Sequence, residues 1–330
     1  MDEEKLTSVV IPTYNQQDFI IETLESIKHQ TYKPIELVVS DDASSDSTVA
    51  LIDRWLSKNT NYFANIIFLK QSVNLGVTKN ISTALKKSTG YYIKLLAGDD
   101  FLIPSAIKEY VDFCQKNKSS WCMSQYYEFH NPHVDSAIIR KKSQYEEWVL
   151  QECSSIQLLQ ILIGNYITAP TVFMERSLAE QIEFFDSPIR NMEDYPAWIK
   201  LLRMGHSIRY LPKPLVYYRM HEESLSHTSR HKRNANIQRD AIQNIESIIR
   251  PNIPNWALLI RFHKFIIKLY YRTIILLLPY SNKEEPITRF MKLLSPIFLF
   301  SKLDPQKERF TKYIVQRYAK RLDTNDRKGM

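Results

Sequence analysis

Between residues 8 and 96 the chain alternates short β-branched runs with segments of helical period, and no other feature limits its fold as tightly. Residues 8–11 form an apolar run stopped by Pro12-Thr13-Tyr14-Asn15. Phe19, Ile20, Leu24 and Ile27 then fall on one helical face. Residues 35–39 are a second run, broken by the polar stretch from Ser40 to Asp46, after which Val49, Ile52 and Leu56 mark a second helix. Residues 66–69 predict a third strand and Asn74-Leu75-Gly76 a turn. Ile81, Ala84, Leu85 and Ser88 predict a third helix with Gly90 as its C-cap. Residues 91–96 make a fourth strand. Alternation at this spacing predicts βαβ units and a mostly parallel sheet. The chain has only six glycines, no G-x-G-x-x-G after the first strand and no Walker A sequence, so a nucleotide bound here is not held by a glycine-rich loop.

The fourth strand runs into Ala97-Gly98 and then two adjacent carboxylates, Asp99 and Asp100, before Pro104 predicts the start of a helix. Carboxylates at the C-terminal end of a core strand sit where open α/β sheets bind their ligands. Two of them with no Cys or His nearby suit a hard divalent ion, Mg or Mn, shared with phosphate. A plain acidic turn is the competing reading. A second acidic pair, Glu193-Asp194, opens an amphipathic helix, and ordinary capping of a helix N-terminus competes there.

The remaining chain is less regular. Residues 121–129 read as an aromatic strand, 130–151 as loop with Arg140-Lys141-Lys142 a solvated charge run, 156–163 as a short helix, and 171–174 and 215–218 as strands. The three cysteines lack metal spacing and leave one unpaired, which predicts a reducing compartment. The acidic N-terminus passes straight into a strand, so no signal peptide and a cytoplasmic protein are expected. Charge is uneven: residues 225–330 hold 21 Lys and Arg against 8 Asp and Glu, a net of +13, while residues 1–224 are net −5. The basic tail is rich in Phe, Tyr, Trp and Leu, and its longest uninterrupted apolar stretch is too short to span a bilayer. That composition predicts peripheral contact with an anionic membrane surface, with packing against the rest of the chain as the alternative. No nucleic-acid motif accompanies the charge, so no nucleic-acid partner is expected.

Taken in order, the motifs S-V-V-I-P-T-Y-N, V-V-S-D-D-A-S-S-D-S-T, N-L-G, G-Y-Y-I-K-L-L-A-G-D-D, M-E-D-Y-P-A-W-I-K-L and Y-Y-R-M-H-E-E-S-L-S closely resemble the family 2 glycosyltransferases of the GT-A fold. The likeness is strongest to the bacterial enzymes that build capsular, O-antigen or exopolysaccharide repeats, and it covers residues 6–227. It implies an α/β GT-A domain over residues 1–227, a Rossmann-like, mostly parallel sheet flanked by helices, followed by a basic helical region over 228–330. It implies a nucleotide-sugar donor, in most members a UDP-sugar, and a glycan or lipid-linked glycan acceptor. By the same resemblance Pro12, Thr13, Tyr14 and Asn15 line the nucleobase and ribose pocket, Asp42 accepts a hydrogen bond from the base, and Lys79 stands near the diphosphate. Asp99 and Asp100 hold the divalent cation and ribose, Asp194 is the catalytic base, and His221 lies near the donor phosphates and the metal. One departure is visible: Ala97 stands where the family's D-x-D has its first Asp.

The residue chemistry agrees with these roles. A leaving diphosphate gathers negative charge that a divalent ion and a nearby cation stabilise. The attacking hydroxyl must lose a proton, which a carboxylate within reach can take. One base and no covalent nucleophile predict inversion at the anomeric centre. Structural roles stay open for Tyr14, for Lys79 as a solvated first-turn lysine, for Glu193 as a cap, for His221 in capping or packing, and for Arg219 as a partner of Glu193 or Asp186. Because of Ala97, a non-catalytic scaffold subunit of a polysaccharide assembly complex is the alternative function. Acceptor choice is expected in the irregular segment 130–171.

Overall fold

A computed structural model describes residues 4–130, 133–221, 235–277, 293–295, 297, 299 and 309–326. The chain divides into two compact units. The first holds Met1–Lys142, Ile167–Leu201 and Ile208–Met220; the second holds Ser143–Tyr166, Leu202–Ser207 and His221–Met330.

The first unit begins with the expected alternation: β1 (Thr7–Thr13), α1 (Ile20–Lys28), β2 (Ile35–Asp41), α2 (Thr48–Asn59), β3 (Asn65–Lys70), α3 (Val77–Lys87) and β4 (Tyr92–Leu95). β1 lies parallel between β2 and β4, and β2 parallel to β3. Both faces of this part of the sheet are covered, so β1 and β2 are buried at almost every residue and read as continuous apolar runs. α1 buries Ile20, Leu24 and Ile27, the stripe its period predicted.

Beyond β4 come β5 (Phe101–Leu102), α4 (Ala106–Asn117), β6 (Trp121–His130), β7 (His133–Arg140), β8 (Val172–Glu175), α7 (Arg176–Gln181), α8 (Asp194–Arg203) and β9 (Arg209–Met220). The sheet runs β3-β2-β1-β4-β8-β6-β9-β5, with β7 paired to β6 at its edge. β4–β8 and β8–β6 are antiparallel, and β6–β9 is parallel. Tyr92, Tyr110 and Phe173 stack through the join between the parallel and mixed halves. Lys94 is fully buried there, donating to the carbonyls of Pro170 and Val172 beside the Tyr110 ring. Burial pulls its ammonium down to about 7.

Several expectations are corrected. β1 continues through Pro12 to Thr13; β4 has ended by then, so the missing proline N–H breaks no bond to it. Gly90 is not the C-cap of α3, which ends at Ser88. Glycine is required at 90 because a Cβ would lie 2.5 Å from the Ser8 backbone nitrogen. The helix after Pro104 starts at Ala106 and is preceded by the two-residue β5. Within the stretch read as loop, His133–Arg140 form β7 and Gln144–Gln151 form α5. β7 escaped notice because Ile138 and Ile139 are both exposed, so no buried face alternates along it. Arg140, read as part of a solvated run, ion-pairs with Glu128 across that edge. β9 is far longer than 215–218; Pro212 and Pro214 hid it, and the β6 ladder shifts register from Ser124 to Tyr126 to admit them.

The second unit is helical in its described residues. α5 opens on a capping box between Ser143 and Glu146 and precedes α6 (Ser154–Ile163). α9 (Ala235–Asn244) passes through a π-turn at Ile245–Ile249 into the short α10 (Arg250–Asn252). α11 (Leu258–Leu277) and α12 (Arg309–Asp326) follow. Trp256 meets Tyr318 edge-on at 5.2 Å, and Lys312 lies 4.3 Å over the Trp148 ring. Among the described residues no helix is long and apolar enough to cross a membrane.

Candidate functional site

The strand order reverses direction between β1 and β4, and the crevice beyond the carboxyl ends of such a pair is where open sheets take ligands. The loops that flank it are those after β1, β2 and β4, and each is built by specific bonds.

The loops after β1 and β2 are stitched together. Asn15 donates its backbone N–H to Ser44 Oγ at 2.8 Å and accepts from the Ser45 N–H at 2.9 Å. The Gln16 N–H reaches Thr48 Oγ1, and the Ser47 N–H reaches Gln17 Oε1. Asp41 folds back on Ser44 through both carboxylate oxygens. Tyr14 stands exposed on this rim, and Pro12 is half-buried beneath it. Thr13 Oγ1 and Gln16 Oε1 are buried with no partner among the described residues. Both point at Gly98, where a Cβ would lie 2.3 Å from Gln16 Oε1 and 3.1 Å from Thr13 Oγ1. Glycine lets the turn after β4 pass this close.

Asp42 is buried, and its two oxygens accept the backbone N–H groups of Leu75 (2.7 Å) and Gly76 (2.9 Å). It therefore pins the Asn-Leu-Gly turn ahead of α3. Burial raises its carboxyl, opposed by these two bonds and by the Arg190 charge. The same turn holds the segment leading to α8. Arg190 donates to the carbonyl and side-chain oxygen of Asn74, and Thr78 bonds the carbonyls of Ile189 and Arg190. Gly76 sits at φ 86° and ψ 161°, with Arg190 Cγ 2.6 Å from where its Cβ would be. Lys79 lies in the first turn of α3, exposed.

At the end of β4 the two carboxylates differ. Asp100 is buried, its Oδ1 accepting the Arg219 backbone N–H at 3.0 Å. Burial raises its carboxyl well above the carboxylate range, and the Asp99 charge adds to that, against Arg219 and Lys94. Asp99 is half-buried. Arg219, itself 3% exposed, locks the turn by bonding the Asp99 carbonyl with Nε at 2.8 Å and pairing with Glu22 of α1. Its guanidinium lies among the rings of Phe19, Phe101 and Phe129. Thr23 Oγ1 caps the same turn through the Gly98 and Asp100 carbonyls. Glu22 is a partner of Arg219 that the sequence did not announce.

Glu193 and Asp194 open α8, whose Trp198 packs on Trp121 of β6 and edge-on to Phe185. Burial raises the Glu193 carboxyl above its usual range, and the adjacent Asp194 carboxylate pushes it further. His221 follows β9, half-buried, as the first residue of the second unit's last segment. Among the described residues no group of three or more His, Cys, Asp or Glu side chains could hold a metal ion by itself. Mg and Mn are commonly held by one or two carboxylates together with substrate phosphates. One accessible carboxylate, Asp99, on a turn fixed from behind by Arg219 fits a cation shared in that way.

Sequence reasoning missed Arg190, Glu22 and the ring cage. Arg190 lies 116 positions from Asn74, and nothing in its neighbours announces the contact. Residues 8–182 match the family model described as glycosyl transferase family 2. The UDP-Glc:alpha-D-GlcNAc-diphosphoundecaprenol beta-1,3-glucosyltransferase WfaP of Escherichia coli is 29% identical over 67% of this chain and 80% of its own. Among solved structures, S. aureus TarS 1–349 in complex with UDP-GlcNAc aligns with a TM-score of 0.56 at 19% identity, over 98% of this chain and 92% of that one. Mannosyltransferase PcManGT from Pyrobaculum calidifontis, in complex with GDP-Man and Mn2+, aligns at 0.58 and 17%, over 94% and 80%. At these identities the structural likeness is one of fold.

Proposed function

The chain belongs to glycosyl transferase family 2 and is a glycosyltransferase of the GT-A fold, and from that premise we propose that it moves a sugar from a UDP-sugar to a hydroxyl of a growing, lipid-linked surface glycan. The observation that supports this reading is the turn after β4, where a half-buried Asp99 follows the sheet's switch point and Arg219 binds both the Asp99 carbonyl and Asp100. The WfaP relative, whose name specifies a UDP-linked donor and a diphosphoundecaprenol-linked acceptor, supports the donor and acceptor classes.

Each residue has a task in this scheme. Pro12, Thr13, Tyr14 and Asn15 form the wall for base and ribose, with Tyr14 the exposed side chain among them. Asp42 holds the 74–76 turn and meets the base through its remaining lone pairs. Lys79 faces the diphosphate. Asp99 would hold the cation, Mn or Mg, which when bound would neutralise charge on the leaving diphosphate; His221 is a further candidate ligand. Asp194 accepts the proton of the attacking hydroxyl, and the anomeric centre inverts. Burial and the neighbouring Asp194 carboxylate hold the Glu193 carboxyl above its usual range, so the two adjacent acids do not titrate independently. A lipid-linked acceptor calls for peripheral contact at the inner face of the cell membrane, which the +13 charge of residues 225–330 supports.

The test is a panel of nucleotide sugars with Mn or Mg, read by thermal shift and by release of nucleoside diphosphate. Stabilisation and release with a UDP-sugar are expected. No binding and no hydrolysis with any donor would contradict the assignment.

A further inference from the structure

α11 is turned inside out. Leu258, Phe262, Phe265 and Leu269 recur at intervals of four, three and four residues, so they share one face of the helix. They are 70%, 45%, 54% and 38% exposed, and the Phe262 and Phe265 rings stack along that face. The opposite face buries Ile260, Ile266 and Ile274, but also two basic residues, His263 and Lys264, at 7% and 6% exposure. His263 is anchored inside by Ser295 Oγ at 2.6 Å and by the Ile163 carbonyl. Burial holds both basic groups down, His263 to about 4 and Lys264 to about 7. A helix surrounded only by water does the reverse, turning its cations out and its Phe and Leu in.

We propose that the Leu258–Phe262–Phe265–Leu269 face of α11 docks into the interfacial region of an anionic lipid bilayer. Two observations select a lipid surface over other occupants. The segment that carries the face has a net charge of +13, which favours an anionic surface and opposes pairing with a second copy of itself. An exposed Leu and Phe stripe on a helix that also carries Arg261, Lys268 and Arg272 is the composition of a helix lying in a lipid interface. Arg272 continues the same face after Leu269, exposed although paired with Glu246 at 3.3 Å, at the level where a cation meets headgroups while the rings sit deeper. This sharpens the peripheral membrane contact proposed above by naming the face that makes it, and it is read without donor or acceptor.

Co-sedimentation of the full chain with phosphatidylcholine vesicles containing 0 to about 40% phosphatidylglycerol tests the proposal, since basic interfacial helices bind in proportion to anionic lipid. Wild type should bind the anionic vesicles at least about tenfold more tightly than the neutral ones. Phe262→Asn with Phe265→Asn should lose about tenfold or more of that binding at an unchanged melting temperature. Wild type that ignores anionic vesicles overturns the membrane contact altogether. Wild type that binds, with the double variant binding equally, overturns the assignment of this face alone. A wild-type dimer in sedimentation velocity that the double variant dissociates, without vesicle binding, gives the face to a second copy and overturns the proposal. Nucleotide-sugar hydrolysis by both forms keeps any of these outcomes separate from the transferase reading.

Discussion

The backbone N–H of Arg219 is bonded to Asp100 Oδ1 at 3.0 Å, across 119 residues of sequence. The last strand of the sheet thus fixes the acidic turn that ends the fourth. Two neighbouring aspartates thereby differ: Asp100 is buried and tied to Arg219, and Asp99 is half-buried.

Asp100→Asn should be tolerated by the fold, because burial already favours the uncharged form and the amide oxygen can still accept the Arg219 N–H. A loss below about 1.5 kcal/mol in urea unfolding is expected. Arg219→Ala empties the ring cage and leaves the Asp99 carbonyl without its donor, while the half-exposed Glu22 is left to solvent, and should cost about 1–3 kcal/mol. The same measurement checks both.

Gly76→Ala places a Cβ against Arg190 in a backbone region open almost only to glycine. About 1–3 kcal/mol of destabilisation is expected. Because Arg190 sits four residues before Asp194, turnover should fall as well, and Arg190→Ala should lower it with a smaller loss of stability. Thermal melts and turnover on the two variants distinguish strain from misplacement.

Asp194→Asn should leave UDP-sugar binding within about twofold of wild type while transfer falls by about 10²–10⁴, the usual weight of a general base. Binding by calorimetry and transfer to a lipid-linked acceptor analogue separate the two. Lost donor binding would remove the base assignment.

Glu36 predicts the pH dependence of stability. It is desolvated, yet bonds from Ser8, from the Thr89 N–H and hydroxyl, and from Asn65 hold its carboxyl below the usual value. A group lowered in the folded state stabilises fully above its unfolded pKa of about 4.5, and that stability is lost as pH falls through the folded value. Glu36→Gln should therefore cost about 1–3 kcal/mol at pH 7 and flatten the acid limb of the stability curve. Urea midpoints from pH 7 to pH 3 test this.

The parallel half of the fold was legible because its strands are covered on both faces, so runs such as Val9-Val10-Ile11 and Leu37-Val38-Val39 carry an unbroken apolar signal. The edges were not. β7 exposes both Ile138 and Ile139, and β9 contains two prolines whose cost is taken up by the register shift in β6. Candidate positions were legible where they sit on short motifs, as at Asp42, Asp99 and Asp194, whose roles are those proposed above. The site was opaque where a long-range partner does the positioning: Arg190 on Asn74 and Arg219 on Glu22 join residues 116 and 197 positions apart. The eversion of α11 was hidden for a related reason, since composition records which residues a helix has and not which way they turn.

The central claim is that Asp99, on a turn braced by Arg219, carries the cation that joins a nucleotide-sugar donor to this protein. Release of UDP from a UDP-sugar by wild type and Asp99→Ala, across a titration of Mn, tests it most directly. The account predicts Mn-dependent release by wild type and its loss, by about 10²-fold or more, in a variant that melts at the wild-type temperature. Equal release by the two proteins, or release by wild type that is indifferent to Mn, would contradict it.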